Sequence, residues 1–136
     1  MADVTVTAAN VKPVGTSRTV QKVLLGETVT QGQPLYLKAA DSKYWKADAD
    51  TLAEAAAAGI AITPGVADDY AIMLTAGTIN MGGTLAVGQV YVVSVNAGGV
   101  APYSDLGSGD YVTILGVATT TAILNVDINV TGIAKA

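Results

Sequence analysis

The 136-residue sequence contains no cysteine and no histidine. Their absence excludes disulfides, thiol nucleophiles, zinc sites built on Cys or His ligands, and catalytic arrangements that pair histidine with serine or cysteine. Carboxylates, lysine and tyrosine are the side chains left for acid–base chemistry. No set of acid, base and nucleophile can be recognised among them. We therefore expect a protein that is not an enzyme, with no catalytic, cofactor-binding or metal-binding residues.

Charge is also scarce, since 13% of the residues are charged against roughly 25% in an ordinary soluble domain. The formal net charge is −4, and Arg18 is the single arginine. Nucleic-acid-binding proteins and proteins that bind anionic membranes carry a basic surface that this chain lacks. We expect neither nucleic acid nor membrane as a partner.

The few charges are unevenly distributed. Fourteen of the 18 lie in residues 1–69, and residues 70–136 carry only four: Asp105, Asp110, Asp127 and Lys135. Glycine and asparagine interrupt the uncharged stretch, so that no apolar run of about 20 residues could form a membrane span. Large uncharged surfaces rich in Val and Thr usually mark subunit contacts. The C-terminal half is therefore predicted to self-associate.

The apolar residues are mainly Val, Ala, Leu and Ile, with many Thr, 15 Gly and no Phe. Val, Ile, Thr and Tyr suit pleated, half-buried strands, and recurring Gly and Asn mark turns between them. Val4 and Val6 alternate with Thr5 and Thr7, which is typical of a strand with one buried face. Composition and spacing predict an all-β fold, a small sandwich or barrel.

One segment favours a helix. Thr51 and Glu54 have the spacing of a capping box, Ala55–Ala58 are strong helix formers, and Gly59 stands where a C-terminal capping glycine would. We predict a short helix near Thr51–Ala58, with an alanine-rich loop as the alternative.

An internal repeat runs through most of the chain. Residues 28–37 match residues 84–93 at an offset of 56, with Thr, Gly and Gln coinciding, and residues 59–63 match 116–120 at an offset of 57. The alternative is that Gly- and Gln-rich strands produce such matches by chance. The repeat predicts one all-β domain over residues 27–136, made of tandem modules of about 27–83 and 84–136. Residues 1–26 lie outside it, as an N-terminal arm or an extra strand.

Two groups of side chains are candidate sites. The acidic pairs Asp48/Asp50 and Asp68/Asp69 do not have the spacing of a calcium loop and are interpreted as solvated loop acids. The adjacent aromatics Tyr44 and Trp45 are flanked by lysines at positions 38, 43 and 46. Such a cluster could stack a base or a sugar ring. The preferred interpretation is a structural hairpin in which Trp45 is a core or interface anchor.

These motifs resemble a known family. The segments Val29–Leu37, Tyr44–Asp48, Gly59–Ile62 and Gly88-Gln89-Val-Tyr-Val, with Leu115–Ala118, are similar to capsid decoration (cement) proteins and head-fibre base proteins of tailed bacteriophages. The resemblance covers most of residues 27–134. It implies a structural virion protein that is made in the bacterial host cytoplasm and binds the outer capsid surface as a homotrimer, where it stabilises contacts between major capsid proteins.

The resemblance carries over no catalytic residues. Lys12, Pro13 and Arg18 are predicted to contact an acidic capsid or a neighbouring subunit, and Trp45 is added as an interface anchor. The alternative function is a tail-fibre or adhesin-like module that binds glycans, for which Tyr44, Trp45 and Tyr103 would be the stacking residues.

Overall fold

In the computed structural model, which describes residues 3–136, the prediction of an all-β fold is confirmed. The described residues also contain one short helix, α1 (Leu52–Ala55), and two 3-10 turns, Ala8–Asn10 before the first strand and Tyr103–Asp105. The described residues form nine strands: β1 Lys12–Leu24, β2 Pro34–Lys38, β3 Lys43–Lys46, β4 Ala57–Ala61, β5 Tyr70–Asn80, β6 Val90–Val93, β7 Val100–Pro102, β8 Tyr111–Ala118 and β9 Ile123–Ala134.

The strands form a single antiparallel sheet in the order β3-β2-β4-β5-β9-β8-β6-β7, and β1 pairs with β5 off this path. The sheet curls into a half-barrel. The two ends of the strand order, β3 and β7, are connected by backbone hydrogen bonds in the loop that follows β3. There the Ala49 N–H donates to the carbonyl of Ser94 and the Gly98 N–H donates to the carbonyl of Ala47, each at 2.9 Å. These bonds connect the two modules away from the central β5–β9 pair.

The strand pairing repeats in the two modules. Strands β2–β5 and β6–β9 follow each other in the same order outward from the β5–β9 pair. Leu35 pairs with Gly59 in the first module, and Tyr91 pairs with Gly116 in the second. In both ladders the next pair skips one residue on the second strand. The two modules therefore share even the position of a β-bulge.

Both modules contribute to the main core. Ile60, Leu74 and Ile79 of the first module and Leu115 and Leu124 of the second are fully buried in one cluster. Removing side chains of this size from water is the main favourable term in folding. The two modules thus share one hydrophobic core.

Helix α1 begins as its sequence predicts and ends sooner. The Thr51 side chain accepts a hydrogen bond from the Glu54 N–H at 3.2 Å, and its hydroxyl donates to the Glu54 carboxylate at 2.8 Å. The helix stops after one turn, because Ala57 already belongs to β4. Gly59 is therefore not a helix cap. It lies in β4, where a Cβ would stand 2.6 Å from the carbonyl oxygen of Leu74.

The described N-terminal residues lie against the domain. The Val4 N–H donates to the carbonyl of Val100 and the Thr7 N–H to that of Gly82, both at 2.8 Å. Val4 and Val6 pack on the main core but do not form the strand that their alternation predicts. Residues 1–26 are predicted to form either an N-terminal arm or an extra strand. Within them, Lys12–Leu24 forms strand β1, which pairs with β5. Residues 1 and 2 lie outside the described residues.

Candidate interaction surface

An irregular strand forms one side of the candidate surface. In the described chain β1 pairs only with β5, so its other edge carries backbone groups without a strand partner. Val14 pairs with Thr78 and Thr19 with Ala76. Five residue steps on β1 are thus matched by two on β5, and residues 15–18 bulge outward. Bulges re-aim side chains, and this one carries Arg18.

The bulge borders an open groove of about 620 Å³ on the solvent face of the sheet. Ala76 and Gly77 of β5 form its floor, and Arg18 stands on the β1 side. Asn125 and Asp127 of β9 form the opposite side; both are exposed and alternate with buried neighbours. The groove therefore crosses three strands and has small side chains on its β5 floor.

One cationic and one anionic side chain, Arg18 and Asp127, line the groove. Thr19, Ala76 and Asp127 are neighbours across the sheet, so the residue that follows Arg18 in sequence is separated from Asp127 by one residue of β5. Within the described chain, Arg18 and Asp127 form no ion pair with each other or with another side chain. Arg18 makes a single long hydrogen bond, from Nη1 to the carbonyl of Gly15 at 3.5 Å. Its charge is left available to a partner.

The Trp45 indole is held by its own chain. Its Nε1–H donates to the Asp41 carboxylate at 3.1 Å, and the Lys38 ammonium lies 4.2 Å from the ring centroid. A Cβ on Gly26 would stand 2.2 Å from Nε1, so the backbone there lies against the ring. The half-buried indole also packs on the main core.

The lysines beside Trp45 are engaged as well. The Lys43 ammonium lies 2.6 Å from the Asp68 carboxylate, and Lys46 lies 3.8 Å from Glu27. The hydrogen bond that Lys43 donates to Asp68, together with the negative charge of Asp68, raises the pKa of Lys43 above its usual value. The basic cluster is therefore paired within the chain and does not form a free cationic surface.

The four predicted contact residues do not lie together on one surface. Lys12 and Arg18 are both exposed on β1. Pro13 pairs with the buried Ile79, so its ring faces the other side of the sheet from its neighbours. Trp45 lies on β3, at one end of the strand order. Asp127 is not among the predicted site residues. The signal for its exposed position is that the apolar residues Leu124 and Val126 alternate with the polar residues Asn125 and Asp127.

Asp48 is the buried carboxyl group of the loop before α1. It is 8% exposed and accepts a hydrogen bond from the Asp50 N–H at 3.0 Å. Burial raises its pKa above the ordinary 3.8, and the nearby carboxylates of Glu54 and Asp50 act in the same direction. Asp48 is thus not a solvated loop acid, because its surroundings favour the protonated form.

We expect Asp48→Asn to flatten the pH dependence of stability. Native Asp48 keeps its proton to a higher pH than the unfolded chain does, so the free energy of unfolding falls as pH rises from 3.8 through the native pKa. Asparagine retains the acceptor oxygen and does not titrate. Urea unfolding between about pH 4 and pH 7 measures the slope. Asp69→Asn, at an exposed carboxylate that does not act on Asp48, is the control, and an unchanged slope in Asp48→Asn would contradict the expectation.

Residues 3–136 contain neither a cluster of metal-binding side chains nor a membrane-spanning helix. No three side chains of metal-binding type come together there. Helix α1, at four residues, and the 3-10 turns are far too short to span a membrane. Comparisons with protein-family models, characterised proteins and solved structures found no match. The function is therefore inferred from the motifs of the sequence and from the surface.

Proposed function

We propose that this chain is a structural virion protein that decorates the outer surface of a tailed-bacteriophage capsid. It acts as a homo-oligomer, a trimer, and stabilises contacts between major capsid proteins. The proposal rests on the family resemblance of its motifs and on one property of its surface.

That property is the exposed apolar area in the charge-poor half. Eleven large apolar side chains are exposed on the described surface, and seven of them lie in residues 70–136: Tyr70, Val87, Val95, Tyr103, Val117, Val130 and Ile133. Only four charged residues share this half. A soluble protein with little charge and exposed apolar side chains tends to associate. This observation carries the proposal of an assembling protein.

The shape of the surface supports the same proposal. Two depressions on the described residues, of about 620 and 710 Å³, are open grooves rather than enclosed cavities. Substrate and cofactor sites are usually concave pockets with converging polar groups. A protein that binds only the assembled shell stabilises that shell by mass action, without any catalytic group.

The glycan-binding alternative is less favoured. It requires aromatic rings that are free to stack on a sugar, whereas Trp45 is hydrogen-bonded, partly buried and covered by Lys38. The ring of Tyr103 has the Lys135 ammonium at 4.5 Å. Binding to a glycan array that is lost in Trp45→Ala would revive this alternative.

Capsid binding tests the proposal directly. Purified protein is added to phage heads assembled without it, and bound copies are counted after sedimentation. We expect saturable binding at a fixed number of copies per head, and heads that resist heating better than undecorated ones. Native mass spectrometry of the free protein should give a trimer. A monomer that does not bind heads would overturn the proposal.

A further inference from the structure

We propose that the groove between the β1 bulge and β9 is the surface through which copies of this chain associate. Arg18 of one copy pairs there with Asp127 of the next. The inference rests on the proposed function only in taking the protein to be a homo-oligomer, and it identifies the interface.

The first reason is the state of the two charges. Arg18 and Asp127 lie on opposite sides of one groove, and within the described chain neither has an ionic partner. Lys43 and Lys46, by contrast, have acidic partners in the same chain. A groove that presents an unpaired cation and an unpaired anion is complementary to a second copy of itself.

The second reason is the charge of the two strands. β1 carries Lys12, Arg18 and Lys22 and no acidic residue, whereas the only charged residue of β9 is Asp127. Two β1 edges that met across a twofold axis would bring the three cations of one copy against the same three cations of the other. A β1 that faces the β9 of a neighbour brings opposite charges together. The charges therefore favour a contact in which β1 of one copy faces β9 of the next, either head to tail in a closed ring or as an isologous pair with two Arg18–Asp127 contacts.

The third reason is the space for close approach. The groove floor is formed by Ala76 and Gly77, and the bulge lifts Arg18 above it. Small floor residues allow a neighbouring chain to approach the β5 backbone. In a trimer with the groove facing the axis, three Arg18–Asp127 pairs would surround that axis, one at each interface.

A charge swap tests the pairing. Arg18→Asp and Asp127→Arg are each expected to weaken association by about tenfold or more, since each variant places like charges opposite one another. The double variant restores the opposite charges and should recover most of the association. Sedimentation and native mass spectrometry over a range of protein concentrations measure this, and high salt should weaken wild-type association.

Two variants outside the pair are matched controls. Lys12→Gln removes a charge on β1 outside the groove without reversing it, and Thr119→Arg adds a charge in the exposed loop before β9, away from the groove. Both should associate nearly as the wild type does. Circular dichroism and thermal unfolding establish that every variant is folded, which is expected because Arg18 and Asp127 are exposed.

Head binding by the same variants distinguishes the possible failures. If the single variants keep the wild-type mass and still bind heads, the inference is wrong and the proposed function stands. If they keep the mass but lose head binding, the groove faces the capsid and the inference is also overturned. If the wild type is monomeric at all concentrations and does not bind heads, both proposals fail.

Discussion

Gly116→Ala is expected to lower the free energy of unfolding by about 3 kcal/mol or more. A Cβ at this position would stand 2.0 Å from the carbonyl oxygen of Asn125 and 2.9 Å from its carbonyl carbon. Both are backbone atoms of β9, which is paired with β8 on one side and β5 on the other. They cannot turn aside as a flexible side chain could, so accommodating one methyl group requires two strands to move apart.

Gly88→Ala is the matched control for this substitution. Gly88 has a φ of 80°, but a Cβ there would meet nothing within 4 Å. Its replacement should cost only the left-handed backbone penalty, about 1–2 kcal/mol. Urea unfolding of the wild type and both variants gives the comparison. Equal losses would show that backbone contact at Gly116 is not what requires glycine.

Deletion of residues 2–10 is the second change with a large expected effect, a loss of about 3 kcal/mol or more of folding free energy. It removes Val4 and Val6 from the main core and two backbone hydrogen bonds to residues 82 and 100. It also removes Asp3, whose carboxylate accepts hydrogen bonds from the Ser94 hydroxyl at 2.6 Å and the Asn96 amide at 3.1 Å. The cavity left behind exposes the core at its edge.

A pair of point variants separates burial from chain length. Val6 packs on the main core, whereas the neighbouring Thr5 is exposed. Thermal unfolding should show a clear loss for Val6→Ala and almost none for Thr5→Ala. If the deletion variant is as stable as the wild type, the N-terminal segment does not contribute to the core in solution. The expected instability also means that lost head binding in this deletion would not by itself identify a capsid contact.

The start of α1 is determined by its local sequence, and its end is determined by tertiary contacts. Thr51 and Glu54 determine the start of the helix, because capping depends on side chains three residues apart. The alanines that follow have high helix propensity, worth a few tenths of a kcal/mol each. Pairing of Ala57–Ala61 with β2 and β5 outweighs that preference. The end of the helix was therefore decided by contacts with distant residues.

The candidate surface was predictable only in part. Arg18 is predicted as a contact residue because it is a cation of the N-terminal arm, which is a property of the sequence. Its neighbour Asp127 is 109 residues away along the chain and reaches the same groove through the order β1-β5-β9. Trp45 was named with Arg18 as a contact residue, yet it lies on β3, where Asp41 and Lys38 hold it.

The sequence by itself determined the strand content, the repeat and the uneven distribution of charge, because these depend on residue types and on short, regular spacings. The tertiary structure alone decided which strands became neighbours, where β1 bulges and which charges found partners. Those features arise when one curled sheet brings together segments that are far apart in sequence. Arg18 and Asp127 therefore become a candidate site only after β5 has placed them on either side of one groove.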